Sequence, residues 1–214
     1  MKKACTRYRP RWKRRPEARP NEIASAALDV FAGKGYETAT LEEVAKQAGI
    51  SKGTIYLYYP NKEHLLAACV EKHMTESLEH LDAFFDSWEA NITKTTIRQR
   101  LIKILNTFME ILGNEKSRKA IKLVLAERQK SKLLREKHKR RVLEVYRKLA
   151  EFLRKADEAG AIDCPKPIEM ARALLGFIVI FPVAEEMLGV PKGALKSKHT
   201  REHLIEFALR GLGL

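Results

Sequence analysis

The chain is poor in cysteine. Three cysteines in 214 residues, Cys5, Cys69 and Cys164, lie far apart and form no C-x-x-C pair. An odd, dispersed set excludes a disulfide framework and a cysteine-based zinc site, and it suits a reducing compartment such as the cytoplasm. Long apolar runs are also missing. The longest uncharged stretch is Ala173 to Ala184, twelve residues, against the roughly 20 needed to cross a bilayer. Aromatic residues make up 7%. The basic N-terminus leads into Arg, Pro and Trp, not into an apolar segment, so no secretory signal is expected. No G-x-x-x-x-G-K-[ST], G-x-G-x-x-G or G-x-S-x-G string is present, which leaves phosphate-loop, dinucleotide and serine-hydrolase chemistry without support.

What is present is positive charge. Lys and Arg number 41 against 27 Asp and Glu, a net charge of +14, and such an excess points to an anionic partner. The excess is local. Residues 1–20 hold nine basic residues and one acid, Glu17; residues 115–141 hold twelve basic residues and three acids. The rest of the chain is slightly acidic. At 45% hydrophobic residues there is enough apolar material for a core, so disorder throughout the chain is excluded.

Helical periodicity runs through the chain, and no segment alternates as a strand does. The pattern predicts an all-α fold. Residues 1–17 carry repelling charge and no apolar period, and read as a basic disordered arm. A first helix over 18–34 places Ile23, Ala26, Ala27, Val30 and Phe31 on one face, with Pro20 near its start and glycines at its end. Thr40 followed by Glu43 is a capping box for a helix over 41–48. Gly49 ends it, Ser51 caps a short helix over 52–58, and Pro60 stops that one. Asn61 caps a long helix to about residue 89. Further helices fit 94–112, 116–128, 131–158, 167–188 and 199–212, with Pro182 inside the penultimate one.

Two helices of about eight residues joined by Gly49-Ile50-Ser51 form a helix-turn-helix pattern. Apolar Val44, Ala45, Ile50 and Ile55 clamp the pair. Small and polar residues lead the second helix, the part that enters a major groove, and Thr40, Ser51, Lys52, the tyrosines and Lys62 suit phosphate.

The stretch from Phe31 to Leu66 resembles the DNA-binding domain of the tetracycline-repressor (TetR) family of transcriptional regulators. The matching elements are Phe31-Ala32-x-x-Gly35-Tyr36, Thr38 and Thr40, the run Ala45-x-x-Ala48-Gly49-Ile50-Ser51-Lys52-Gly53-Thr54-Ile55-Tyr56, and Tyr59-x-Asn61-Lys62-x-x-Leu65. The resemblance implies a three-helix DNA-binding head over 18–62 and a six-helix effector-binding and dimerisation domain over 63–214. It also implies a homodimer that binds a palindromic operator and is released by a small-molecule effector, acting most simply as a repressor. By matching positions, Ser51, Lys52, Gly53 and Thr54 lead the recognition helix, and Tyr56 meets the sugar-phosphate chain. Tyr58 takes a position where a polar contact is common, and Thr40 and Lys62 hold phosphates. Leu57 departs from the pattern, where an aromatic residue is common, and points to contact with a thymine methyl. Tyr59 fills a core position.

In the C-terminal part, Phe84, Trp88, Phe108 and Met109 are candidate effector-pocket residues. Helix 8 is apolar on nearly all faces and needs cover on all sides. Leu174, Phe177, Ile178 and Phe181, with Leu204, Ile205, Ala208 and Leu209 of the last helix, are candidate dimer contacts. The basic block at 115–141 reads as a solvated face, with DNA attraction or capture of an anionic effector such as an acyl-CoA as alternatives. His199-x-x-Glu202-His203 has a metallopeptidase-like spacing, but no third ligand accompanies it. No metal, cofactor or catalytic residue is expected. The basic arm is expected to lie along phosphates or in a minor groove.

Overall fold

The structure is a computed structural model that describes residues 18–87 and 92–214, without the side chains of residues 80, 82–84, 86 and 87. The described residues form helices α1 (Arg19–Lys34), α2 (Leu41–Ala48), α3 (Lys52–Tyr56), α4 (Lys62–Ser87), α5 (Lys94–Gly113), α6 (Glu115–Glu127), α7 (Lys132–Glu158), α8 (Pro167–Met187) and α9 (Lys198–Arg210). A short 3-10 turn, Ala194–Lys196, precedes α9.

Local chemistry sets most boundaries. Thr40 and Glu43 complete a capping box on α2: Glu43 N donates to Thr40 Oγ1 at 3.3 Å, and Thr40 N donates to Glu43 Oε2 at 3.0 Å. Ser51, Thr93, Asn114, Ser131 and Ser197 each accept from a backbone N–H three residues on. Asn61 Oδ1 does the same for His64 N at 2.9 Å. α3 ends at Tyr56, two residues short of the expected end, because the N–H groups of Tyr58 and Tyr59 both turn back to Ile55 O.

Two apolar cores form. The first joins α1, α2 and α3 with the start of α4 through Ile23, Phe31, Val44, Ile55, Leu65 and Leu66. It also takes Ala120, Leu123 and Val124 of α6 and Leu134 of α7, so the body packs directly into the head's core. The second lies between α4, α5, α7, α8 and α9, around Leu101, Leu105, Leu149, Leu153, Ile178 and Leu209. α4 belongs to both and links them.

α8 is long and apolar enough, by length and composition alone, to cross a bilayer. Here it packs on α5, α6 and α7. It continues through Pro182, which is buried, and Glu185 is buried near its C-terminal end.

Candidate DNA interface and effector cavity

The turn between α2 and α3 is made by Gly49, whose φ of 65° lies in the left-handed region that a side chain disfavours. Gly49 N and Ile50 N donate back to Lys46 O and Ala45 O, closing α2. Val44, Ala45 and Ile55 are buried, which fixes α3 against α2. The outer face of α3 is left to solvent. Ser51, Lys52 and Gly53 are exposed and Thr54 is half-buried. Tyr56 is 49% exposed and Leu57 is 80% exposed. An apolar side chain so fully in water is suited to a methyl group in a groove.

The polar groups on this face are held in place by their own contacts. Ser51 Oγ and Thr54 Oγ1 are 2.9 Å apart. Lys52 pairs with Glu42 and lies 6.0 Å from the Tyr56 ring centroid; the hydrogen bond to the Glu42 carboxylate raises the Lys52 pKa. Lys62 donates to Glu37 O at 3.2 Å and stands 4.5 Å from the Tyr36 ring centroid. Tyr58 is half-buried against the head core. Tyr59 is as well, and its hydroxyl donates to Pro20 O at 2.9 Å, tying the α3–α4 connection to the start of α1. Thr40, Ser51, Lys52, Gly53, Thr54, Tyr56, Leu57 and Lys62 thus lie in or beside α3 or at the ends of the helices that flank it. The basic arm, residues 1–17, lies outside the described residues.

Among the effector-pocket candidates, Phe108 and Met109 are buried in the body core. The side chain of Phe84 and the whole of Trp88 lie outside the described residues. A small cavity of about 30 Å³, room for little more than water, opens at the seam of α4 and α7. Leu78, Leu81, Phe85 and Val145 line it, with Thr75, Glu79, Arg141, Glu144 and Lys148 as its polar and charged groups. Arg141 donates to Thr75 Oγ1 at 2.5 Å and to Glu144 Oε2 at 2.8 Å, while its Nε is buried without a partner among the described residues. The helical spacing of Leu78, Leu81 and Phe85 is visible in the sequence; that Val145 and Arg141, about 65 residues further on, lie against them is not.

Of the dimer candidates, Leu174, Ile178, Ile205, Ala208 and Leu209 are buried within the protomer; Phe177, Phe181 and Leu204 are half-buried. The solvent face of α8 and α9 carries Ile180, 54% exposed, and Phe207, 69% exposed. The Phe207 ring stacks on Phe177 with centroids 5.3 Å apart. The rings of His199 and His203 are 4.2 Å apart, and among the described residues no group of three or more His, Cys, Asp or Glu could hold a metal ion.

Comparison with known proteins decides the family. The model for bacterial regulatory proteins of the tetR family matches residues 23–69, and that for the C-terminal domain of AefR-like transcriptional repressors matches residues 99–210. The chain belongs to the TetR family. As a TetR-family protein it is a ligand-responsive, DNA-binding transcriptional regulator. A fatty acid metabolism regulator protein of Bacillus subtilis is 28% identical over 155 residues, covering 72% of this chain and 76% of that protein. A proposed TetR-family transcriptional regulator from Mesorhizobium loti shares the fold with a TM-score of 0.79 at 22% identity, covering 94% of this chain and all of that one (100%). The regulator FadR from Bacillus subtilis, solved in complex with stearoyl-CoA, shares it with a TM-score of 0.70 at 22% identity, covering 90% and 98%.

Proposed function

We propose that this TetR-family chain is a cytoplasmic repressor that acts by binding, without catalysis, as a homodimer on a palindromic operator, and that a long-chain acyl-CoA releases it. The exposed apolar stripe of α8 and α9 supports the dimer. Ile180, Phe207 and Met187 lie in water in the protomer, a cost of about 25 cal/mol per Å² that a second copy removes. A twofold dimer then sets two α3 helices against two half-sites. Lys52, Thr54, Tyr56 and Leu57 would meet the groove, and Thr40 and Lys62 the phosphates flanking it. The arm would add phosphate contacts.

The observation that carries the effector class is the α4–α7 seam. Apolar Leu78, Leu81, Phe85 and Val145 offer a path for an acyl chain, and the Nε of Arg141, which has no partner among the described residues, offers a donor to an anionic head. The Bacillus subtilis relative named for fatty acid metabolism supports the same class. The cavity is small, so the acyl chain would have to part α4 from α7. α4 starts at Lys62, so a shift at the seam moves a phosphate contact. Coupling of this kind is reciprocal: the effector must bind the DNA-free arrangement better.

Titrating stearoyl-CoA into the protein–operator complex tests this. The expected result is a fall in DNA affinity of about tenfold or more, within the usual range of such couplings. Arg141→Gln should need more ligand for the same effect. Unchanged operator affinity at saturating stearoyl-CoA would remove acyl thioesters as effectors.

A further inference from the structure

The basic block at 115–141 divides into two faces. Its inward cations clasp the molecule together. Lys119 pairs with Asp29 at 2.9 Å, and Lys122 donates to Ala32 O at 2.9 Å. Lys137 and Arg140 grip Glu71 at 2.6 and 2.7 Å, and Arg141 holds Thr75. The outward cations do none of this. Arg128 and Lys132 are exposed and have no ion-pair partner among the described residues. Among the described residues, Arg135 has only Glu136, at 4.0 Å. Lys132, Arg135 and Lys139 recur at i, i+3 and i+7, one exposed stripe of α7.

The turn that carries them is held firmly against the head. Ser131 Oγ donates to Glu63 Oε1 at 2.7 Å, one residue beyond Lys62. Ser131 N and Lys130 N both return to Glu127 O, and Ser131 Oγ caps α7 through Leu134 N. Lys130 Nζ reaches Glu37 Oε1 at 3.0 Å, and Lys62 Nζ reaches the backbone oxygen of the same Glu37 at 3.2 Å. One residue, next to Thr38 and three before Thr40, therefore joins the α6–α7 turn to the phosphate-facing end of the head.

We propose that the α6–α7 turn is a second DNA-binding surface, in which Arg128, Lys132 and Arg135 contact the phosphates of duplex flanking the bases read by α3. The proposal rests on the DNA-regulator reading. Its partner is duplex DNA because the turn that carries the patch is tied through Glu37 and Glu63 to the segment that holds Thr40 and Lys62, the residues placed to meet phosphate. Such contacts carry charge and no sequence information, so they strengthen binding to any duplex and steepen its salt dependence. They also give the body its own hold on DNA, so that a shift of α6 or α7 is felt at the operator without passing through α3.

Full-length wild type and an Arg128→Gln/Lys132→Gln/Arg135→Gln variant are compared on a scrambled duplex of about four helical turns, over roughly 50 to 200 mM salt. Each lost phosphate contact lowers the slope of log K against log salt by about 0.9, so a slope shallower by roughly 2 to 3 per protomer is expected, with at least about tenfold weaker binding at the lowest salt. Arg128→Lys/Arg135→Lys, which keeps the charge, should bind as wild type does. An unchanged slope and affinity in the triple Gln variant, with Lys62→Gln still weakening binding, would overturn the second surface alone. Wild type that binds no duplex at any salt would overturn the DNA-regulator reading and the second surface together.

Discussion

Lys122 of α6 donates from Nζ to the carbonyl oxygen of Ala32 in the last turns of α1, 2.9 Å away. The bond joins the C-terminal body to the N-terminal head at a carbonyl near a helix end, where oxygens lack an intrahelical partner. Lys119 adds the pair with Asp29, and Ala120, Leu123 and Val124 of the same helix are buried in the head core. α6 and α1 therefore share a core and two polar ties, the kind of contact a body needs if it is to report to a head.

Leu123→Ala should destabilise the protein by about 2–5 kcal/mol, the usual cost of truncating a buried leucine. Because Leu123 sits where body meets head, the loss should appear in a single denaturant transition seen alike by head and body probes. Two separated transitions in the wild type would show that the shared core does not couple them.

Gly49→Ala should cost at least about 1 kcal/mol, since φ at that position is 65° and a Cβ strains it. Thr40→Ala removes the capping box and should cost about 1 kcal/mol. Both are read as a lower midpoint in urea. The glycine change should also lower DNA affinity, because it alters the angle at which α3 is presented.

Local chemistry was legible in the sequence and long-range pairing was not. The bounds of α2, the capping box of Thr40 with Glu43, the turn at Gly49 and the cap at Ser51 depend on residues a few positions apart, and all appear where the pattern places them. The 3-10 turn Ala194–Lys196 was not foreseen. It is held by Glu185, whose Oε1 accepts from Gly193 N at 2.7 Å and Ala194 N at 3.2 Å, a contact across a loop that no periodicity encodes. The outward register of α8 was equally hidden. A helix apolar all round gives no phase, so Leu174 and Ile178, buried in the protomer, cannot be told from exposed Ile180 before packing is known. The division of the basic block into clasping and outward cations likewise needed the partners Asp29, Glu37 and Glu71 in space.

His73 gives the protein a pH dependence. It is buried between α4 and α6, with Nε2 2.9 Å from Ser117 Oγ. Burial lowers its pKa, the nearby Lys116 and Lys72 push the same way, and Glu76 opposes them. A histidine whose folded pKa lies below its unfolded value of about 6.5 binds its proton more readily when unfolded. Its contribution is therefore intact above about pH 6.5 and is lost as pH falls below that value. His138 is shifted in the same direction, also by burial. The melting temperature should fall between about pH 7 and pH 5, and the fall should be smaller in His73→Asn. An identical pH profile in the variant would show that His73 does not contribute.

Ile180→Glu places a charge on the exposed apolar stripe of α8. Within the protomer it should be nearly neutral, since the site is in solvent. In sedimentation it should shift the protein from dimer to monomer, and operator affinity should fall by at least about tenfold, since one head keeps only half the contacts. A variant that remains dimeric would move the interface elsewhere.

The most direct test of the account is the ratio of affinities for an operator selected by the protein from a random duplex library and for unrelated duplex, both at physiological salt. A sequence-specific regulator reading its site through Thr54, Tyr56 and Leu57 predicts a ratio of about 10³ or more, falling toward unity in Tyr56→Ala/Leu57→Ala. A wild-type ratio near unity would contradict it, leaving a protein that holds DNA by charge alone.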